Sequence, residues 1–198
     1  MKTKLTLVAA LLLSSLASPC SDVVAAEKKV GFEVSAGFVV SSDYHDFLDN
    51  YYGLQDGGWG WAGIGAGVKF NVSDQVSIIP GADFMLNSVS YEGSSDSDTN
   101  FIFLPKIAAR YRLEPKLPSL FVEAELNDNI PSTDLYASTF ESGGIGYGGM
   151  IGYELRNGLS IQAGYKYIPV KVSVDTFFGT IKSTENMGGF VVKAGVSF

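Results

Sequence analysis

The sequence predicts an all-β fold, an eight-stranded antiparallel up-and-down transmembrane β-barrel in residues 27–198. Three observations predict it. Apolar and polar residues alternate with a period of two in eight segments. The connections between these segments are alternately long and short, which is typical of a barrel with both chain ends on one side. One face of the segments is apolar, while the other carries most of their glycines and charges of both signs.

The first four predicted strands are residues 30–40, 62–70, 76–87 and 101–113. Apolar residues occupy the even positions of the first three and the odd positions of the fourth. In the second predicted strand, the opposite face consists of three glycines and a lysine. The charged residues on the opposite face of these four strands are Glu33, Lys69, Asp83, Lys106, Arg110 and Arg112.

The other four predicted strands are residues 120–126, 145–155, 159–167 and 189–198. Their apolar faces lie at even, odd, odd and even positions, in that order. The charged residues assigned to the opposite face are Glu123, Glu125, Glu154, Arg156, Lys166 and Lys193.

Three positions depart from the simple pattern. Three prolines fall within predicted strands, where a proline has no N–H to donate to the neighbouring strand: Pro80, Pro105 and Pro169. Beyond the last of these, apolar residues move to the even positions 170–174, which predicts a β-bulge near Ile168. The pair Asn157-Gly158 predicts a two-residue hairpin turn of the primed type, with positive φ at both residues.

Residues 1–26 have the features of an export signal. Lys2 and Lys4 precede an apolar run over 5–16, and small residues end at Ala26. Cleavage there would remove Cys20 and leave a mature chain without cysteine. The alternative, lipidation of Cys20, is disfavoured by the proline that precedes it.

The polar face is expected to point into the barrel. Long charged side chains need gaps in a crowded lumen, and glycines on the same face supply them. Aromatic residues of the apolar face gather at the strand ends nearest the short connections, as in a membrane girdle: Phe32, Phe70, Tyr111, Tyr153 and Phe198. We therefore expect the apolar face to contact lipid. The opposite charges inside should pair and close the lumen, because unpaired buried charges are costly.

With these features the chain resembles bacterial eight-stranded outer-membrane β-barrels of the porin-like and surface-antigen type. The most specific element is the last strand, whose apolar face is similar to the signal read by the barrel-insertion machinery: Phe190, Val192, Ala194, Val196 and Phe198. The resemblance implies a cell outer membrane location and contact with outer-membrane lipids and lipopolysaccharide. It implies a non-enzymatic role in envelope integrity, or in adhesion to an extracellular ligand or host surface. We expect a monomer.

The long connections are acidic and contain aromatic residues, which favours a surface-interaction role. The residues assigned to it are Asp43, Tyr44, Tyr51, Tyr52, Asp96, Asp98 and Tyr136. Residues 96–100 have the opening spacing of a calcium loop but lack its later ligands. No metal site is predicted.

Several function classes are disfavoured or excluded by composition. A net charge of −7 with 14 Lys and Arg gives no basic surface for nucleic acid. One Cys and one His cannot form a zinc cluster, and no cofactor is predicted. Two alternatives stay open. The first is a narrow ion or small-solute channel along the lumen charges. The second is a lipid-modifying enzyme, because resemblance to lipid A palmitoyltransferases would assign roles to His45, Asp96 and Ser97. The charged lumen disfavours the acyl-chain pocket that such an enzyme needs.

Overall fold

The computed structural model describes residues 29–43, 46, 54–57, 60–91, 97–116, 118–131, 134–135, 138–176 and 179–198. The predicted export signal lies outside these residues. The strands are β1 (Val30–Val40), β2 (Leu54–Gly57), β3 (Gly60–Asn71), β4 (Val76–Tyr91), β5 (Ser97–Arg112), β6 (Ser119–Asp128), β7 (Ile130–Pro131), β8 (Asp134–Leu135), β9 (Ser138–Gly143), β10 (Ile145–Glu154), β11 (Leu159–Tyr167), β12 (Pro169–Thr176), β13 (Gly179–Asn186) and β14 (Gly189–Ser197). No helix within the described ranges is long and apolar enough to span a membrane.

Eight of these strands close into an antiparallel barrel, which confirms the predicted all-β, eight-stranded barrel. Their order is β4, β3, β1, β14, β11, β10, β6 and β5, and β5 pairs with β4 to complete the ring. The strand ends joined by three of the connections (71 to 76, 112 to 119 and 154 to 159) lie at one end, here called the turn end. The barrel's first and last residues lie there too. The strand ends joined by the other four connections lie at the opposite end, here called the loop end.

The strand register sets the shape of the barrel. Following paired residues once around the ring leads from Val30 back to Val40 of the same strand, ten residues farther along. The path runs through Val30, Phe70, Ile78, Ala109, Ala124, Gly149, Tyr165, Phe190 and Val40. Eight strands about 4.8 Å apart with this displacement tilt by about 41° and lie about 8 Å from the axis. The interior is just wide enough for side chains.

The two faces of the wall are those that the alternation predicts. In β6 and β10 every second residue is buried. The outward apolar side chains are exposed, for example Ile151 at 65% and Ile161 at 60%. All five aromatic residues predicted for a girdle at the turn end are exposed.

Pro80 and Pro169 lie where the hydrogen-bond ladder is interrupted or begins. Pro80 faces a gap in the β3–β4 pairing, between Gly81 and Ile78, and keeps its register partner on β5. Pro169 is the first residue of β12. Each position tolerates the missing donor.

The predicted β-bulge near Ile168 is present as a register shift in the neighbouring strand and not as an inserted residue in β11–β12. Burial keeps the same parity across this point, since Lys166, Ile168, Val170 and Val172 are all buried. What changes is the lining of the interior, from charged to apolar. On the other side of this strand the register shifts by one residue, since Tyr147 pairs with Tyr167 whereas Gly143 pairs with Val170. A second shift follows between Lys171 and Val172, in the pairing with β9.

The predicted long connections are partly strand. The β4–β5 hairpin stays paired as far as Ser90 and Ser97, and β2 pairs with its outer part. The β11–β14 hairpin continues without change of register into β12 and β13, which form a second sheet with β9 and β8. The wall therefore extends past the barrel at the loop end.

The turn between β10 and β11 differs from the predicted primed type. Gly158 has φ 81°, but no other residue type among the described residues has a positive φ. The Gly158 N–H donates to Leu155 O at 3.0 Å, and the Leu155 N–H donates to Leu159 O at 2.7 Å. This is a three-residue loop, in which a turn is followed by glycine in the left-handed region.

Candidate functional site: the barrel interior

The middle of the lumen holds three lysines around two carboxylates. Lys166 Nζ lies 2.7 Å from Asp83 Oδ2 and 2.5 Å from Glu125 Oε1. Lys193 Nζ lies 2.8 Å from Asp83 Oδ2, and Lys106 Nζ lies 2.8 Å from Asp83 Oδ1. None of the five side chains is more than 9% exposed. They come from β4, β5, β6, β11 and β14, so this cluster joins strands across the barrel.

Nearer the turn end, Arg110 holds two glutamates. Its guanidinium donates to both oxygens of Glu33, at 2.7 and 2.9 Å, and contacts Glu123 Oε2 at 2.6 Å. The fork geometry of arginine suits this bidentate contact. The ring of Phe121 lies beneath the guanidinium, 4.3 Å from ring centroid to Cζ. The Ser197 hydroxyl donates to Glu33 at 3.2 Å.

A third cluster closes the turn end. Lys69 Nζ lies 2.7 Å from Glu154 Oε1, and Arg112 Nε lies 3.3 Å from Glu154 Oε2. Arg112 also donates to the backbone oxygen of Asp74 in the adjacent turn, at 3.1 Å. The charges thus anchor a turn as well as one another.

The predicted salt-bridged lumen is present for eleven of the twelve assigned residues. Arg156 is the exception because it lies outside the lumen. Its side chain is exposed in the turn after β10, because that strand ends at Glu154. The remaining set has six cations and five carboxylates, so the charges nearly balance.

Lumen glycines provide room for these long side chains, as predicted. A Cβ at Gly152 would meet the ring of Phe121, and a Cβ at Gly65 would meet the carboxylate of Asp83. A Cβ at Gly37 would meet the Lys193 side chain. The glycines are therefore part of the charge network's packing.

Sequence reasoning missed an apolar layer that fills the lumen toward the loop end. It consists of buried side chains from six barrel strands and from the segments beyond them: Val39, Trp61, Met85, Ile102, Leu104, Met150, Ile168, Val170, Val172, Met187 and Val191. The sequence contained evidence of this layer, because several of these apolar residues stand at positions where the alternation of their strand otherwise places polar residues. The inference that the whole lumen is charged was too broad.

The lumen leaves little free space beside its central charges. A cavity lined in part by Asp83, Lys166 and Lys193 measures about 10 Å³. This is the space of about one water molecule. The described interior charges contact one another around this small cavity.

The last strand presents its predicted insertion residues outward. Phe190, Val192 and Phe198 are exposed, and Lys193 between them points inward. β14 closes the ring by pairing with β1, where Phe198 N–H donates to Phe32 O at 2.8 Å. Recognition by insertion machinery stays a prediction.

Most residues assigned to surface interaction lie outside the described residues: Tyr44, Tyr51, Tyr52, Asp96 and Tyr136, together with His45 of the enzyme alternative. The backbone of Asp98 lies in β5, opposite Val89. Asp43 accepts a hydrogen bond from the Asn186 side chain at 3.1 Å. No group of three potential metal ligands is found in the part of the chain that the structure describes.

Comparison with known proteins gives no family for this chain. No protein-family model matches it. A search of curated proteins also finds no match.

Proposed function

We propose that the protein is a non-enzymatic barrel of the bacterial outer membrane, with a closed lumen, that serves envelope integrity or surface interaction. The observation that carries this proposal is the inversion of the barrel. Charged side chains pair inside, and large apolar side chains are exposed around the outside. A water-soluble barrel of this size would bury the apolar face, because exposed patches of this extent favour association.

The outer surface also has the dimensions of a membrane band. With the tilt given above, the exposed apolar residues cover about 30 Å along the axis, for example from Leu113 to Phe101, which is enough for a barrel's apolar belt of about 25 Å. The five turn-end aromatics lie within about 4 Å of one level along the axis. A second set of exposed aromatics lies toward the loop end: Phe38, Phe84, Phe103, Tyr147, Tyr165 and Phe190. Two girdles flanking an aliphatic belt support insertion in a bilayer.

The packed interior supports a structural role rather than a diffusion pore. An ion crossing the lumen would have to displace three ion-pair clusters and then the apolar layer. Separating buried, desolvated pairs costs several kcal/mol each, and an apolar constriction excludes water.

Cell fractionation and electrophoresis test the location. We expect the protein in outer-membrane fractions, with different gel migration before and after boiling in SDS. Recovery as a soluble periplasmic protein without that shift would contradict membrane insertion.

Planar bilayer recording tests the closed lumen. We expect purified protein to insert without steady conductance. Reproducible single-channel steps would instead support the narrow channel.

A further inference from the structure

The buried charge network contains one more cation than it contains carboxylates, with six against five. The excess lies in the central cluster, where three lysines surround Asp83 and Glu125. Lys193 Nζ donates to Asp83 at 2.8 Å and lies 3.9 Å from Glu125, so it has N–H groups left for another partner. Because an uncompensated charge is costly to bury, this excess favours a bound counter-ion.

Around Lys193, the lumen face of β11, β14 and β1 carries only uncharged polar residues and glycines. Two adjacent register rows cross these strands: Ser160, Gly195 and Ser35 in one, and Gln162, Lys193 and Gly37 in the other. A Cβ at Gly195 would lie 3.1 Å from Ser160 Oγ and 3.6 Å from Ser35 Cβ, so the two serines flank the space that this glycine leaves. The rows therefore place hydroxyl, amide and ammonium groups around gaps left by two glycines.

Two of these polar groups have no hydrogen-bond partner although they are buried. They are Ser160 Oγ and Gln162 Oε1, and the two residues are 2% and 3% exposed. Burying a polar group without a partner costs free energy, so a ligand that supplies the partner is favoured. The Ser160 hydroxyl can donate to an anion, and the Gln162 amide rotated by half a turn would present its N–H groups. The cavity of about 10 Å³ lies at the same place, since Ser35, Gly37 and Lys193 line it.

The carboxylates beside this face are already paired. Glu33, on the same face of β1 as Ser35, is bound by Arg110 through both oxygens. Asp83 also lines the cavity, but its two oxygens accept hydrogen bonds from three lysines. Neither carboxylate balances the additional charge.

We propose that the lumen face of β1, β14 and β11 binds one small monatomic anion, of which chloride is the abundant example. Lys193 supplies the charge, while the hydroxyls of Ser35 and Ser160 and the amide of Gln162 supply further donors. The ion would balance the excess cation and give the unpartnered groups a partner. The space admits one unhydrated ion and excludes a bulky anion such as gluconate. Because the site lies inside the barrel, the ion would bind whether or not the outer wall contacts lipid.

Exchanging gluconate for chloride at constant ionic strength and pH tests this site. The barrel, refolded in a neutral detergent, is unfolded in urea, and its heat-modifiable fraction gives the ratio of folded to unfolded protein. For wild type, this ratio should rise about tenfold for each tenfold increase in chloride above the dissociation constant. Equilibrium dialysis against radioactive chloride should retain one ion per folded barrel.

Three variants separate the site from general effects of salt. Lys193→Met removes the excess charge and should abolish the chloride effect. Ser160→Ala/Gln162→Met keeps every ion pair and should weaken chloride binding about a hundredfold, since each hydrogen bond to an ion contributes about tenfold. Lys116→Met removes an exposed lysine, changes the net charge as Lys193→Met does, and should keep the wild-type response. If Lys193→Met does not fold, the double variant decides, because its charge network is intact.

Equal stability of wild type in chloride and in gluconate, with no retained ion, would overturn the proposal, because the lumen would then balance its charge without an anion. A chloride effect of wild-type size in Lys193→Met or in the double variant would also overturn it. Such an effect would come from the bulk salt and not from this site.

Discussion

Replacing Arg110 by methionine should destabilise the barrel strongly. Arg110 is fully buried and is shared by Glu33 and Glu123. Removing one partner of a buried ion pair costs about 3–5 kcal/mol, because the other charge is left without compensation. Glu33 keeps the hydroxyl of Ser197, whereas Glu123 loses its ion pair with Arg110. We therefore expect a loss in unfolding free energy of about 4 kcal/mol.

Urea unfolding of the refolded barrel in lipid vesicles, read as the fraction of heat-modifiable protein, measures this loss. Lys116→Met, which changes an exposed lysine, is the control and should stay within about 0.5 kcal/mol of wild type. The triple variant Arg110→Met/Glu33→Gln/Glu123→Gln removes the orphaned charges and should recover much of the loss. A single variant within about 1 kcal/mol of wild type, or a triple variant less stable than the single one, would refute the reasoning.

Three further predictions use the same unfolding assay or its counterpart in cells. Gly152→Ala places a methyl group against the Phe121 ring and should cost about 1–3 kcal/mol, whereas adding Phe121→Leu should recover part of it; an unchanged single variant would show that the lumen is less tightly packed. Trp61→Ala empties a fully buried site in the apolar layer and should cost about 3–5 kcal/mol; a loss below 1 kcal/mol would mean that this layer contributes little. Phe198→Ser should lower the amount of folded barrel in cell membranes while leaving the refolded protein's stability within about 1 kcal/mol, since the Phe198 backbone bonds to Phe32 remain; normal assembly in cells would argue against an insertion signal.

The alternation of apolar and polar residues predicts much of the fold. A period of two defines the eight barrel strands and the two faces, because adjacent side chains on a strand must point to opposite sides. That is enough to predict the charged lumen and the exposed girdle. The alternation says nothing about which charges meet. Glu33 and Arg110 lie 77 residues apart, and only the register around the closed ring brings them together.

Misassigned parts of the chain have identifiable physical causes. The change of apolar face after Pro169 suggested an inserted residue, but it marks the start of the apolar layer inside the barrel. Arg156 follows the alternation but lies past the strand end. Asn157-Gly158 permits two turn types, and the hydrogen bonds of Leu155 select the three-residue form.

The pairing of charges across the lumen bears on how the barrel folds and whether its wall can open. Glu33 with Arg110, Lys69 with Glu154, and Lys193 with Asp83 each join strands that are not neighbours in the ring. An open, curved sheet of the same strands could form every hydrogen-bond ladder except the one between β1 and β14. The charged side chains that pair across the lumen would still be unpaired in that sheet. Pairing of β1 with β14 would therefore form the last ladder and the cross-lumen ion pairs in one cooperative step. We expect this step late in folding, because the two strands are distant in sequence. For the same reason, parting that seam in the folded protein would separate buried charges, so the wall is poorly suited to act as a lateral gate for lipid.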